Sequence, residues 1–248
     1  MKLTVLGCAG TFPGAASGCS SYLLEHDGFR LMVDCGYGAV GALQRHGDLL
    51  DLDAVLLSHL HADHCVDLVG YAYARFYHPT AHPLPLPVWG PRGTEARIQK
   101  AMESSRTPWL NQVYDWRELT AGDHQIGPFH ITAQQVAHPV ECYGLRIEAG
   151  GRTLTYSADT GPCDVLVELA RDADLFLCEA SFVEHQDNPV GVHLTGAQAG
   201  RAAVDAGARS LLLTHLVAWH DEAVVLGEAK DVYPGELRLA RCGVTYPV

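Results

Sequence analysis

Histidine and aspartate side chains are concentrated in one short stretch of the sequence, His59-Leu60-His61-Ala62-Asp63-His64. The stretch directly follows Ala54–Leu57, an apolar run typical of a buried strand. A tight loop at a strand end can direct three imidazoles and a carboxylate toward one point, which a regular helix or strand cannot do. Imidazole and carboxylate are ligands for zinc and similar divalent ions. The stretch therefore predicts a metal site.

Three further candidate ligands follow apolar runs elsewhere in the chain. His138 follows Ile131–Val136, Asp159 follows the run that begins at Thr153, and His215 follows the run that begins at Ser210. Taken alone, each would be interpreted as an ordinary loop histidine or turn aspartate. Together with the first stretch they supply about seven ligands, which is enough for a site that holds two ions.

The elements that must position these residues are short strands and a few helices. Apolar or β-branched runs bounded by Gly, Asp or Pro predict strands at Leu3–Leu6, Ser21–Leu24, Leu31–Val33, Ala54–Leu57, His130–Val136, Gly144–Ile147, Thr153–Tyr156, Leu175–Cys178, Leu211–Leu213 and Leu237–Leu239. Helices are predicted at Val66–Tyr77, Arg92–Ser104, Asp164–Ala170, Thr195–Ala206 and Asp221–Val232, with Thr195 and Asp221 as N-caps. This order favours a mixed α/β sandwich with two inner sheets and outer helices. The Pro-rich segment His78–Pro87 is interpreted as an extended surface connection.

Composition limits the partners. The formal net charge of −12 repels nucleic acid on average, so an anionic substrate needs a local attraction. No apolar run approaches the ~18 residues of a membrane span, and the N-terminal residues lack a secretory signal pattern. We therefore expect no membrane association, a cytoplasmic location, and reduced thiols at the eight cysteines. A homodimer remains open.

The order of the candidate ligands along the chain, from His59 to His215, resembles the ligand pattern of the metallo-β-lactamase superfamily. The resemblance covers the whole chain. The resemblance implies a four-layer αββα sandwich formed by one domain, residues 1–248, and a site for two divalent ions, zinc with manganese or iron as alternatives. One ion would be held by His59, His61 and His138. The other would be held by Asp63, His64 and His215, and Asp159 would bridge the two.

Finer motifs resemble the ribonuclease Z-like branch. They are Asp34-Cys35-Gly36, the stretch Cys178–Phe182, and His193-Leu194-Thr195, whose histidine donates a proton in that branch. Two departures argue against transfer RNA as a substrate: Asp159 follows His138 by only 21 residues, which leaves no room for an RNA-gripping arm, and no Ser-X-Arg follows His215. The stretch Leu57–Cys65 is most similar to the compact bacterial cyclic-AMP phosphodiesterase type.

The resemblance implies hydrolysis of a small phosphodiester, with 3′,5′-cyclic AMP or a related cyclic nucleotide as the expected substrate. Two ions can share a water molecule and lower its pKa toward ~7, which supplies a nucleophile. His193 is the expected proton donor, and Asp63 is expected to orient the nucleophile or accept its proton. Ser157 and Thr160 either donate to phosphate oxygens or serve the backbone of their own turn. Glu179 is either a buried structural carboxylate or a support for a ligand imidazole.

Other functions remain open on the same site. A lactonase, a thioesterase or an RNA 3′-end endonuclease would use the same ligands, and a metal-bound scaffold without turnover is disfavoured because every ligand position is filled.

Overall fold

The structure, a computed structural model, describes residues 1–79, 84–102 and 109–248. Within these ranges the strands are β1 (Lys2–Ala9), β2 (Gly18–Cys19), β3 (Ser21–His26), β4 (Phe29–Val33), β5 (Ala54–Leu56), β6 (Leu86–Gly90), β7 (Tyr114–Glu118), β8 (Gly122–Ile126), β9 (Phe129–Gln135), β10 (Tyr143–Ala149), β11 (Arg152–Tyr156), β12 (Leu175–Glu179), β13 (Ser210–Thr214), β14 (Glu236–Leu239) and β15 (Thr245–Pro247). The helices are α1 (Ala39–Leu43), α2 (Ala62–Cys65), α3 (Leu68–Phe76), α4 (Thr94–Ala101), α5 (Leu110–Val113), α6 (Asp164–Leu169), α7 (Gly196–Ala206) and α8 (Glu222–Val232).

The strands form two sheets. The first has the order β15-β1-β3-β4-β5-β6-β7, with β2 paired to β1. The second has the order β14-β13-β12-β11-β10-β9-β8. Strands β4 to β7 run parallel to one another, as do strands β11 to β14, and antiparallel pairs make up most of the rest of each sheet.

Alternating side chains of the first sheet fill two different cores. Leu31 and Val33 of β4 pack between the sheets, whereas Met32 packs on the opposite face with the residues of α1 and α3. The second sheet does the same, because Phe176 of β12 packs with α7 and its neighbour Leu177 packs between the sheets. Period-two alternation with both faces apolar is what a sheet covered on both sides requires. The result is the expected four-layer αββα sandwich.

Each of the ten predicted strands coincides with an observed strand, and Thr195 and Asp221 cap α7 and α8 as predicted. The interpretation of the Pro-rich segment as a surface connection is wrong at its end, because the buried Leu86 begins β6. Residues 80–83 of that segment, and the last two residues of the helix predicted at Arg92–Ser104, lie outside the described residues. The single helix predicted at Val66–Tyr77 begins later, as α3 at Leu68, and is preceded by the short helix α2.

Strand direction brings the candidate ligands to one rim of the sandwich. In the first sheet, β1, β4 and β5 point the same way, and in the second sheet β9, β11, β12 and β13 do so. Because the carboxyl ends of similarly directed strands meet at one edge, the segments that follow them come together there.

No helix within the described ranges has the length and apolar character needed to cross a membrane.

We predict that Gly36→Ala lowers the free energy of unfolding, because a Cβ at Gly36 would lie 1.9 Å from the backbone oxygen of Asp63. The expected loss is about 1–3 kcal/mol, the cost of forcing backbone to move in a packed region. Urea denaturation measures it. Gly41→Ala is the matched control, since a Cβ there meets nothing within 4 Å inside α1. Equal stability of the two variants would contradict this account of the packing at Gly36.

Candidate metal centre

The histidine-rich stretch spans a loop and a one-turn helix. His59 and His61 lie in the loop after β5, and Asp63 and His64 lie on α2, which starts after His61. The expectation of one tight loop is thus wrong for the last two residues. A hydrogen bond joins α2 to the segment that follows β4, because the amide of Cys35 donates to the His64 carbonyl over 2.7 Å.

One group of candidate ligands gathers three imidazoles. His61 Nδ1 lies 3.1 Å from His59 Nε2 and 3.2 Å from His138 Nε2. Two nitrogen ligands of a tetrahedral zinc ion, each at its usual bond length, would lie about 3.3 Å apart. Asp159 completes the group, with Oδ2 3.7 Å from His59 Nε2.

A second group shares Asp159 with the first. Asp159 Oδ1 lies 3.2 Å from His64 Nε2, and Asp63 Oδ2 lies 3.5 Å from the same nitrogen and 3.7 Å from His215 Nε2. In each group the ligand atoms all lie within 4.8 Å of one another. The two carboxylate oxygens of Asp159 therefore face different groups, which is the arrangement that a bridging ligand needs.

Three buried polar atoms at this centre have no hydrogen-bond partner within the described part of the chain. They are His64 Nε2, His215 Nε2 and Asp159 Oδ1. Leaving such atoms unpaired in a protein interior costs about 1–3 kcal/mol each. Bound cations would satisfy all three, and the mixture of imidazoles and carboxylates suits divalent ions. The residues present therefore fit two divalent ions.

In four of the candidate ligand histidines, the ring nitrogen Nδ1 faces a hydrogen-bond acceptor. His64 Nδ1 lies 2.8 Å from Asp34 Oδ2, and His138 Nδ1 lies 3.0 Å from the Val192 carbonyl. Nδ1 of His59 lies 3.1 Å from Ser58 Oγ, and Nδ1 of His215 lies 2.9 Å from Ser20 Oγ. With the proton assigned to Nδ1 in each ring, the lone pair of Nε2 is free to bind a cation.

Asp34 is a functional residue that the sequence reasoning missed. Its fully buried carboxylate accepts from the Ser58 amide (2.7 Å), the Ser58 hydroxyl (2.9 Å) and the Tyr156 hydroxyl (2.8 Å), in addition to the His64 ring. In the sequence, Asp34 stands out only as part of the motif Asp34-Cys35-Gly36. It follows the apolar run Leu31–Val33, so the rule that found Asp159 and His215 would also have found it.

Four residues at the ends of the site-forming strands have positive φ angles although they are not glycine. They are Thr11 (64°), Asp34 (57°), Ala158 (52°) and His215 (57°). This region is unfavourable for residues with a Cβ, and such outliers cluster where the surrounding structure holds a functional geometry. The strain at Thr11 directs its amide to Asp63 Oδ2, 2.9 Å away.

Burial sets the charge state of most ligands. It lowers the pKa of His59, His61, His138 and His215, which favours the neutral form that a metal ligand needs. Burial alone would raise the pKa of Asp159, but the surrounding His215, His64 and His59 rings hold it well below its usual range. The pKa of His64 is raised despite burial, because Asp159 and Asp34 lie beside it.

His193 lies beside both groups, with its ring centre 5.6 Å from that of His138, and belongs to neither. Its ring centre is 5.5 Å from that of His215, and its Nδ1 lies 2.7 Å from Glu179 Oε1. Burial by itself would lower the pKa of His193, but the Glu179 carboxylate raises it to about 9. Glu179 also accepts from the amides of Thr160 (2.8 Å) and Ser181 (3.2 Å). It therefore supports His193 and not a candidate ligand imidazole.

The two hydroxyls that flank Asp159 serve the turn. Ser157 Oγ donates to the Ala158 carbonyl and Thr160 Oγ1 donates to the Gly161 carbonyl, each over 2.7 Å. The sequence left two roles open for Ser157 and Thr160. In the structure, both hydroxyls bind the backbone of their own turn.

The profile of the family described as Beta-lactamase superfamily domain matches residues 29–216. An uncharacterized protein of Mycobacterium leprae is 44% identical over 253 residues, which cover 100% of this chain and 89% of that protein. The Bacillus subtilis protein named Probable metallo-hydrolase YhfI is 36% identical over 250 residues, 99% of each chain.

Two crystal structures are similar to this fold. That of YhfI from Bacillus subtilis superposes with a TM-score of 0.88 and 33% identity, and covers 99% of both chains. The short form of human tRNase Z superposes with a TM-score of 0.79 and 23% identity, and covers 100% of this chain and 99% of that one. At that identity the human enzyme indicates the fold alone.

We predict that Asp34→Asn weakens binding of divalent ions about 10- to 100-fold, the usual effect of losing a partner behind a metal-ligand histidine. An amide nitrogen facing His64 Nδ1 would favour the ring tautomer that carries its proton on Nε2, the atom that faces Asp63 and Asp159. Metal titration of the folded variant tests this. Asp174→Asn is the control, because that carboxylate pairs with Arg152 and Arg209 on the surface. Unchanged affinity in Asp34→Asn would contradict the assigned role.

Proposed function

The chain belongs to the β-lactamase superfamily, and from that premise we propose that it is a metal-dependent phosphodiesterase that cleaves 3′,5′-cyclic AMP or a related small cyclic nucleotide. The observation that carries the proposal is the pairing of two ligand groups through Asp159 with a supported imidazole, His193, placed beside them. A cation pair and a proton donor are what hydrolysis of a phosphodiester requires.

The ligands are assigned by group. His59, His61 and His138 would hold one ion; Asp63, His64 and His215 would hold the other; Asp159 would contact both. Zinc is the proposed ion, and manganese and iron suit the same ligands. When bound, the two ions would supply a nucleophile from water at neutral pH and offset the negative charge of the phosphodiester.

His193 is proposed to protonate the leaving oxygen. Glu179 accepts a hydrogen bond from Nδ1, and this leaves the Nε2 proton available to a substrate. The raised pKa, about 9, favours the protonated ring at neutral pH. An alkoxide is a poor leaving group unless it is protonated, so this transfer is where we expect the chain's own side chains to contribute most to the rate.

Asp63 is proposed to orient the attacking water or to accept its proton, besides binding an ion. The Thr11 amide holds one of its oxygens, Oδ2, at 2.9 Å. A carboxylate fixed in this way presents its second oxygen in a defined direction.

The segment between His138 and Asp159 is short, and this favours a small substrate. The strands β10 and β11 and their short turns occupy this segment, so it contains no arm for an extended polymer. The net charge of −12 also opposes binding to RNA. Transfer RNA is therefore not the proposed substrate, although the fold is shared with human tRNase Z.

We predict two tightly bound divalent ions per chain. Asp159→Ala should loosen both ions, because both groups lose an oxygen ligand. Elemental analysis of protein purified without chelator measures the stoichiometry. Loss of a single ion from the variant would mean that another residue forms the bridge, and one ion in the parent protein would refute the dinuclear site.

We predict that His193→Ala keeps its metal content and lowers kcat by about 10²–10⁴-fold, the size of a general-acid contribution. The loss should shrink for a nitrophenyl phosphodiester, because nitrophenolate departs without protonation. Steady-state kinetics on both substrates provides the comparison. An equal loss on both would make His193 a residue that positions the substrate.

The proposed function is tested by a substrate panel with the metal-loaded protein. Cyclic AMP or a close cyclic nucleotide should be hydrolysed with weak salt dependence, since one phosphate is bound, and precursor transfer RNA should be cut poorly. A lactone and a thioester complete the panel. Efficient turnover of either one with inert cyclic nucleotides would assign the same site to a different hydrolase, and efficient RNA cleavage would assign it to an endonuclease.

A further inference from the structure

Two aromatic side chains, Phe12 and Trp219, form a pair on the surface beside the metal centre. Their ring centres lie 5.0 Å apart at an interplanar angle of 35°. Trp219 is 69% exposed, so burial in the protein core does not explain it. Neither residue was singled out for a role from the sequence.

The loop that carries Phe12 is fixed to the metal centre. Thr11, its neighbour, donates its amide to Asp63 Oδ2 over 2.9 Å and has a positive φ of 64°. Consecutive Cα atoms are about 3.8 Å apart, so Phe12 lies one residue from an amide that contacts the candidate ligand Asp63.

The loop that carries Trp219 is fixed to the same place. His215, four residues earlier, is a candidate ligand with a positive φ of 57°. The two loops are joined directly, because the Gly10 amide donates to the Leu216 carbonyl over 3.0 Å. They approach so closely that a Cβ at Gly10 would lie 2.4 Å from the His215 carbonyl oxygen. The aromatic pair thus has a defined position relative to both Asp63 and His215.

We propose that Phe12 and Trp219 form a stacking platform for the base of the nucleotide whose phosphate is bound at the metal centre. This inference rests on the proposed phosphodiesterase function and adds to it the residues that would bind the base of the substrate. An exposed indole beside a phosphate-binding centre suits a planar base, because stacking on an aromatic ring needs no specific hydrogen bonds.

Stacking is tolerant of sequence, since every base has a π face. The platform therefore predicts that cyclic nucleotides with different bases are all accepted, and that the presence of a base matters more than its identity. A site that discriminated bases strongly would instead need polar groups paired with their edges.

The kinetic test compares cyclic AMP with ribose 3′,5′-cyclic phosphate, which has no base. The parent enzyme should prefer cyclic AMP in kcat/KM by about 10-fold or more, the size expected for one base–aromatic stack. Trp219→Ala and Phe12→Ala should bring this ratio toward one through a higher KM for cyclic AMP, and Trp219→Phe should restore most of it. Tyr77→Ala, at an aromatic residue 71% exposed beyond the end of α3, is the control and should keep the parent ratio. An unchanged ratio in Trp219→Ala would overturn the platform while leaving the phosphodiesterase intact.

A binding measurement separates the platform from the proposed function. Adenosine 5′-monophosphate should bind the metal-loaded protein more tightly than ribose 5-phosphate and should quench Trp219 fluorescence, with the Trp219→Phe variant as the spectral reference. If adenosine 5′-monophosphate binds more tightly but cyclic nucleotides are not hydrolysed, the phosphodiesterase function is rejected and the nucleotide-binding platform is retained. Equal affinities for the two phosphates, with no quenching assigned to Trp219, would overturn the platform whatever the activity.

Discussion

The site depends on the hydrogen bonds that one buried carboxylate, Asp34, accepts. A carboxylate buried away from solvent needs several hydrogen-bond donors, and Asp34 receives them from both sheets: the Ser58 backbone and hydroxyl after β5, the His64 ring on α2, and the Tyr156 hydroxyl at the end of β11. One side chain thus fixes the loop after β5 against the second sheet. The same contact sets the tautomer of His64 and so frees the nitrogen that faces Asp159.

The geometry of the site includes features that are unfavourable by themselves. Among the described residues, three buried atoms of the site have no hydrogen-bond partner, and four site residues with a Cβ occupy the left-handed region. Such features persist only where surrounding contacts hold them in place. Here those contacts include the close approach of Gly36 to Asp63 and of Gly10 to His215. Because ions bind only the folded arrangement, their binding would in turn stabilise the protein.

Most of the candidate metal ligands could be predicted from the sequence, because the end of an apolar run marks the end of a strand. Asp159 and His215 each follow an apolar run, and similarly directed strands bring their ends together. The strands β7 and β8 were missed for a physical reason: each is the edge strand of its sheet and carries mostly polar side chains that are at least partly exposed, so neither has an apolar run. The support of His193 by Glu179 and the pairing of Phe12 with Trp219 were also out of reach, since each joins residues through tertiary contacts that no local pattern records.

We have proposed that seven side chains form two cation sites joined by Asp159. Anomalous X-ray diffraction from crystals of the metal-loaded protein, collected at the absorption edge of the bound metal, tests it most directly. The account predicts two peaks, one among His59, His61 and His138 and one among Asp63, His64 and His215, with Asp159 in contact with both. A single peak, or peaks remote from Asp159, would contradict it.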